Sequence, residues 1–297
     1  MVIVKLMGGL GNQMFQYAAA RSLSFKRKVY LDKSFLDEHK VSSTDFTARD
    51  YELDKFKNIQ ARNGIKNCIT FFTDFRFPFN ILRYFFARYA ILIKQVENEF
   101  IDLASCKNYT LIYLDGYFQS EKYFSHIRKQ LLKEFEFPQL DTENTAIRNK
   151  IIRSENTVSL HIRRGDYNSS EIIHNIHGVL PLTYYHQAIT ALTLKYGKLS
   201  IYIFSDDMKW AKEHLLINDQ EVHYVDLNHK KKHWQDMALM SACKHHIIAN
   251  SSFSWWGAWL ADTGGDTFAP LKWFNSDATK FEINDFIPQN WTIVNYG

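Results

Sequence analysis

Cysteine is scarce and poorly placed for cross-linking: Cys68, Cys106 and Cys243 are odd in number, far apart and form no C-x-x-C pair. This argues against a disulfide framework or a thiolate zinc site and points to a reducing compartment. A dominant charge of one sign is also missing. Thirty-six Lys and Arg face 32 Asp and Glu, and an excess of 4 over 297 residues falls short of the electrostatic footprint of a dedicated nucleic-acid binder. A local cluster could still hold a polyphosphate-sized anion. No apolar run reaches the roughly 20 residues of a bilayer span. The longest, Ile81 to Ile93, carries Arg83 and Arg88 and predicts a buried or partly interfacial helix. The N-terminus has no basic flank ahead of a secretory apolar core. Repeats and low-complexity tracts are absent too.

What is present is a globular composition, 46% apolar and 23% charged, with an unusual 15% of aromatics. Length suggests about two domains at ~150 residues each. Val2 to Leu6, a helical stretch from Asn12 to Lys26 and Val29 to Leu31 read as a β-α-β opening. Residues 35 to 110 show no clean strand period, which predicts irregular or helical insertions. Leu111 to Leu114 reads as a strand, Asp115-Gly116 as a turn and Glu121 to Phe135 as a helix. Pro138 and the polar stretch Asp141 to Asn144 give the best boundary signal. Beyond it, strands at 157–162, 200–204, 222–225, 246–249 and 267–269 alternate with helices at 183–196, 207–216, 234–243 and 253–261. Such alternation implies a parallel sheet with helices on both faces. The expected division is residues 1–150, carrying the 35–110 insertion, and residues 151–297.

In parallel sheets, ligands sit beyond the carboxyl ends of the strands. At the first such end, Gly8-Gly9-Leu10-Gly11-Asn12-Gln13-Met14 opens a helix, and Asp32 follows the next strand. This invites a nicotinamide-dinucleotide reading. Met14, however, stands where that fingerprint needs a Gly or Ala for close helix packing. What remains is a tight loop presenting Asn12 and Gln13 at a helix N-terminus, suited to hydroxyls or an anion, or else a plain glycine turn with polar caps.

The densest constellation is His161-Ile162-Arg163-Arg164-Gly165-Asp166, at the end of strand 157–162. Desolvated cations need partners, and guanidinium forks match phosphate oxygens, so a diphosphate is the natural guest, the alternative being that both arginines lie on a solvated loop. Asp166 is expected to pair with Arg164. The connection from Gly165 to Pro181 is long for a β-α loop and holds Tyr167, Glu171, His174 and His177. A metal is not expected on His174 and His177, which lack a third ligand, nor on His229 and His233, which flank three lysines. Asp206-Asp207 is adjacent, not spaced as Asp-x-Asp, and it sits at a different strand end from the arginines.

After strand 246–249, Asn250-Ser251-Ser252-Phe253 opens a helix, so backbone N–H groups at a positive dipole end form an anion cradle. Simple N-capping by Ser251 or Ser252 is compatible with that role. Trp255, Trp256 and Trp259 read as core. Asp236 either satisfies its own helix dipole or accepts two N–H bonds from a guanine edge.

With these residues in view, the chain resembles glycosyltransferase family 11, the α-1,2-fucosyltransferases, within the fucosyltransferases marked by H-x-R-R-x-D. The ordered set is G-G-L-G-N-Q-M-F-Q-Y-A at 8–18, G-Y-F-Q-S-E-K-Y-F at 116–124, H-I-R-R-G-D-Y at 161–167, F-S-D-D at 204–207, D-M-A-L-M-S-A-C from 236, and A-N-S-S-F-S-W-W-G-A-W-L ending at 260. The resemblance implies a GT-B-like α/β fold of two Rossmann-type domains with parallel sheets facing across a cleft. It places GDP-fucose on the C-terminal domain and a galactose-terminated acceptor on the N-terminal one. It implies donor contacts from His161, Arg163, Asp236, Asn250, Ser251, Ser252 and Phe253, with Arg163 on the phosphate and Asp236 on guanine. Asn12 would lie beside the reacting centre, and Gln13, Asp115, Tyr117 and Gln119 are acceptor-side candidates. The resemblance looks bacterial, which implies a cytoplasmic protein with at most peripheral contact with the inner membrane.

The expected reaction is inverting, metal-independent and cofactor-free transfer of L-fucose from GDP-β-L-fucose, to O2 of a galactoside. A base must accept the acceptor proton; Glu171, His177, Asp166 and Asp115 are candidates, and the long loop favours Glu171 or His177. Two other classes stay open: a nicotinamide-dinucleotide oxidoreductase using the glycine loop and Asp32, and a non-catalytic nucleotide or carbohydrate binder.

Overall fold

The computed structural model describes residues 1–24, 27–42, 47–96, 99–165, 178–275 and 282–296. Met1 to Glu136, with 282–286, form one compact unit; the other described residues from Phe137 onward form a second. The helix that spans residue 150 belongs to the second.

The first unit is built on five parallel strands: β1 (Val2–Lys5), β2 (Val29–Asp32), β3 (Ala61–Asn63), β4 (Ala90–Lys94) and β5 (Leu111–Asp115). Their order is β3-β2-β1-β5-β4. Val2, Ile3 and Val4 of the central strand are fully buried, as expected of a parallel strand covered on both faces. Its helices are α1 (Leu10–Ser22), α2 (Ser34–Glu38), α3 (Lys66–Thr73), α4 (Phe79–Phe86) and α5 (Arg128–Glu134). Because the chain runs outward from β1 through β2 and β3 and then returns on the other side, the order reverses between β1 and β5.

Three expectations fail in this unit. The stretch 35–110 is no mere insertion, since β3 and β4 complete the sheet. The run Ile81 to Ile93 is not one helix: α4 ends at Phe86 and β4 begins at Ala90. A short apolar run fits either state, and pairing with β5 decides it. The helix expected over 121–135 starts as two 3-10 turns, and only 128–134 is α-helical.

The second unit contains α6 (Thr142–Arg153), β6 (Thr157–Ile162), α7 (Leu182–Tyr196), β7 (Ser200–Ser205), α8 (Met208–His214), β8 (Glu221–Val225), α9 (Trp234–Ala242), β9 (His245–Ile247), α10 (Ser252–Trp259), β10 (Thr267–Pro270) and β11 (Thr292–Val294). Its six parallel strands lie in the order β11-β10-β9-β6-β7-β8. This is the doubly wound order of dinucleotide-binding folds, with β6 leading to β7 and β8 on one side and to β9, β10 and β11 on the other. Every residue of β6 is buried. Tyr184 of α7 ties the helix to the sheet, its hydroxyl donating to the Ile248 carbonyl (2.6 Å) and the Phe268 carbonyl (3.0 Å). Trp255 and Trp256 are fully buried and Trp259 nearly so, which makes the three tryptophans core.

Candidate active site

The topology of the second unit selects one place for a ligand, the switch point between β6 and β9. The two motifs singled out from the sequence fall there. Arg163 and Arg164 leave the end of β6, and Ser251 caps α10 just after β9. Phe253 joins them to a third element: its ring lies 6.0 Å from that of His161, beside the arginines, and 5.7 Å from that of His233, which precedes α9. Asp236 is in the first turn of α9. Phe253 thus links the end of β6 to the start of α9.

The two arginines have different duties. Arg164 is held on three sides: its N–H donates to Asp206 (2.8 Å), its Nε lies 3.9 Å from Asp207, and its guanidinium sits 3.7 Å over the Trp210 ring. Such stacking and pairing fix the side chain. Arg163 pairs with Asp206 at 3.0 Å, with roughly a fifth of each side chain exposed. Asp206-Asp207 does sit at a different strand end, that of β7, but β7 pairs with β6, so the acidic pair lies against the arginines. Arg164 finds Asp207 and Trp210 as partners; Asp166, expected in that role, lies outside the described residues, as do Tyr167, Glu171, His174 and His177. Asp206 also confines the next residue, since a Cβ on Gly165 would come within 3.2 Å of its carboxylate.

At α10, the Ser251 hydroxyl accepts the Phe253 N–H at 3.3 Å. Capping of this kind answers one of the four first-turn donors of a helix. Asn250 is 2% exposed and donates to the carbonyls of Trp273 (3.3 Å) and Gly178 (3.5 Å), so it ties three loops together beneath the cradle. His161 is buried, and desolvation lowers its pKa to about 4, which keeps the imidazole neutral beside Arg163.

Asp236 belongs to a buried amide network that sequence reading missed. Asn228 donates to Asp236 Oδ1 (2.7 Å) and to Asn144 (2.7 Å); Asn144 donates back to Asn228 (2.8 Å) and to Asp141 (2.8 Å); Gln235 donates to Asp141 (2.9 Å). These bonds hold Asp141 well below the usual carboxylate range, and Asp236 goes the other way, burial raising it to about 7. Nothing in the spacing of Asn144, Asn228 and Asp236 marks them as partners before the fold is known.

The first unit has its own switch point, between β1 and β5, and it gathers Asn12, Asp115, Tyr117 and Gln119. Gln119 Nε2 donates to Asn12 Oδ1 at 2.6 Å. Asp115 lies 3.4 Å from Lys5. The backbone N–H groups of Tyr117 and Phe118 both donate to Gln95 Oε1, at 3.0 and 2.8 Å, and a Cβ on Gly116 would strike the Gln95 side chain. Tyr117 is half-buried, and desolvation raises its phenol. Gln13 is fully buried. Its amide nitrogen donates to the carbonyls of Gly8 and Asp50, both at 2.8 Å, and its oxygen accepts from the Glu52 N–H at 2.9 Å, so it anchors a loop and does not face a ligand.

The glycine loop does not behave as an anion site. Glu52 Oε2 accepts the Leu10 N–H at 2.8 Å, so a carboxylate of the chain already sits at the start of α1. Gly8 adopts φ +73°, and a Cβ there would lie 2.4 Å from the Asn12 amide. Asp32, which a nicotinamide enzyme would use on a ribose, is 1% exposed and accepts from the Tyr113 hydroxyl (2.5 Å) and the Ser34 N–H (2.9 Å). Both halves of the oxidoreductase reading are therefore engaged in the fold.

Comparison with known proteins follows the same direction. The sequence profile described as Glycosyl transferase family 11 matches residues 1–295. An Escherichia coli protein named Alpha-1,2-colitosyltransferase is 34% identical, covering 99% of this chain and 98% of its own. The O-antigen biosynthesis glycosyltransferase WbnK of Escherichia coli is 36% identical, covering 95% and 98%. The Homo sapiens Galactoside alpha-(1,2)-fucosyltransferase 1 is 28% identical over 52% of this chain and 44% of its own. The chain belongs to glycosyl transferase family 11 and is a glycosyltransferase.

Proposed function

We propose that the protein transfers L-fucose from GDP-β-L-fucose to O2 of a galactoside, with inversion and without a metal. One observation carries this reading: Phe253, in the first turn of α10, packs against both His161, two residues before Arg163, and His233, three residues before Asp236. The second unit then holds the donor. Asp236 takes the guanine edge, oriented by Asn228, while Arg163 and the Ser252 amide, at the helix start that Ser251 caps, take the diphosphate. His161, Asn250 and Phe253 shape and support that site. The first unit supplies the acceptor side through Asn12, Asp115, Tyr117 and Gln119.

An α-linked product from a β-linked donor requires a single displacement at the anomeric carbon. As that bond breaks, the departing GDP gains negative charge at its β-phosphate. Arg163 and the helix N–H groups bind that charge more strongly than the ground state, which is what lowers the barrier. Asp206 pairs with Arg163 at 3.0 Å and Asp207 accepts the Trp210 N–H at 3.2 Å, which supports a diphosphate held without a divalent ion. The proton of the acceptor hydroxyl goes to Glu171 or His177. Glu171→Gln and His177→Ala each test this, and full turnover in both would remove a base from that loop.

A second reading concerns the donor sugar. The similarity to an alpha-1,2-colitosyltransferase favours a GDP-linked 3-deoxy analogue of fucose in the same site. Parallel incubation with GDP-fucose and GDP-colitose, each against a panel of galactosides and with linkage analysis of the product, separates the two. No transfer from either donor overturns the assignment. Titration with GDP and with a reduced nicotinamide cofactor, followed by thermal stability, checks the nucleotide class, because a ligand that binds the native state stabilises it by mass action.

A further inference from the structure

Helix α4 breaks the pattern of the first unit. A surface helix turns its apolar stripe to the core and its polar side to water, and α1, α2, α3 and α5 each bury at least one side chain. None of the eight residues of α4 is buried. Tyr84, Phe85 and Phe86 are 81%, 71% and 49% exposed; Phe75 and Phe77 just before the helix are 67% and 77% exposed, and Tyr89 just after it 55%. Isolated exposed hydrophobics are normal, but this many large rings on one short segment marks an interaction surface.

The charge on the segment is one-sided. From Phe75 to Gln95 the chain carries Arg76, Arg83, Arg88 and Lys94 and no acidic residue. Arg83 is used inside the fold, donating to the carbonyls of Phe71 and Asp74 and lying 4.4 Å from the Phe75 ring. Arg76 is exposed and pairs with Asp74 at 2.8 Å. Arg88 and Lys94 are exposed.

We propose that this segment docks the enzyme on an anionic lipid bilayer, with Phe77, Tyr84, Phe85 and Phe86 entering the headgroup region and Arg88 and Lys94 at the level of the lipid phosphates. Three considerations select this occupant. Phe and Tyr rings together with Lys and Arg are the side chains that favour the membrane–water interface. The exposed Arg88 and Lys94 match a surface of negative lipids. A second copy of the chain is a poor partner, because a two-fold contact sets a patch against itself and would oppose cation to cation. The segment lies on the bilayer and does not cross it: eight helical residues extend about 12 Å, and no helix among the described residues is long and apolar enough to span.

The test is co-sedimentation of the full chain with vesicles of phosphatidylcholine alone and of phosphatidylcholine containing phosphatidylglycerol. Binding is expected on the mixed vesicles, and it should weaken as salt screens the surface charge. Arg88→Gln with Lys94→Gln should lower the partition coefficient by roughly 30-fold, at about fivefold per cation. Phe77→Ser with Phe85→Ser should abolish binding. Both double variants should keep the parent's melting midpoint and its rate on a soluble acceptor, which separates loss of docking from loss of folding. The proposal is overturned if the parent stays in the supernatant with anionic vesicles, or if binding survives either pair of substitutions. It is also overturned if the chain is a dimer that the Phe variants dissociate while no form of it sediments.

Discussion

At Asp236 the needs of the donor site and of the fold pull in opposite directions, and Asp236→Asn measures both. Burial raises this carboxyl to about 7, whereas an unfolded chain holds Asp near ~3.9. The folded state therefore binds the proton more tightly. The contribution to stability is present in full below the unfolded value and is lost as pH rises through 7. At ~1.4 kcal/mol per pK unit the complete loss is about 4 kcal/mol, of which about 2–3 kcal/mol falls between pH 5 and pH 8. The Asn variant keeps an oxygen for the Asn228 amide and has no proton to lose. In urea unfolding its advantage over the parent should widen by that 2–3 kcal/mol from pH 5 to pH 8. Nucleotide affinity should run the other way. Guanine donors need the ionised carboxylate, populated at roughly 0.9 at pH 8 and 0.1 at pH 6, so calorimetry should find GDP bound about ninefold more weakly by the parent at pH 6. The variant should bind GDP weakly at both values and lose its preference over ADP. Parallel stability curves for parent and variant, or tighter GDP binding by the parent at pH 6, would refute the reasoning.

Arg163→Lys keeps a positive charge but loses the planar fork, so kcat should fall about 100-fold or more; a melting midpoint close to the parent's would show that the loss is chemical. Asp206→Ala releases both the Arg163 side chain and the Arg164 N–H. The donor KM should rise severalfold along with a lower kcat, Asp206→Asn should recover part of each, and unchanged steady-state kinetics would show that Asp206 does not orient the arginines. Treatment with EDTA should leave turnover intact, whereas inactivation reversed by magnesium would count against a purely guanidinium-held diphosphate. Trp256→Ala removes a fully buried ring from the core of the second unit and should cost about 3–5 kcal/mol in denaturant unfolding.

The legible parts of the chain are those where local pattern and tertiary role agree. Strands β6, β7 and β8 are short apolar runs between well-marked helices, and their parallel order could be anticipated from alternation alone. The same holds for the positions of Arg163, just past the end of β6, and Ser251, at the start of α10, which follow from the strand and helix boundaries alone. Where the fold overrides the local signal, reading fails. The run after Ile81 has the composition of a helix, and only its pairing with β5 converts its second half into a strand. Asp206 lies 43 residues from Arg163 in sequence, and only the adjacency of β6 and β7 brings them to 3.0 Å. Gln13 looks like a ligand-facing polar residue because its attachment to Asp50 and Glu52 is set by a loop with no sequence signature.

Glu52 has a consequence for stoichiometry. Two sheets of kindred design each begin a helix just past a central strand, and each helix start could in principle attract phosphate. In the first unit the chain supplies its own carboxylate to that position, as a permanent surrogate for a bound anion, and the buried Gln13 keeps it there. On the proposed reading, this leaves the second sheet alone to take the nucleotide. Saturation should be reached at one GDP per polypeptide, and a single self-supplied acid is what sets the two helix starts apart.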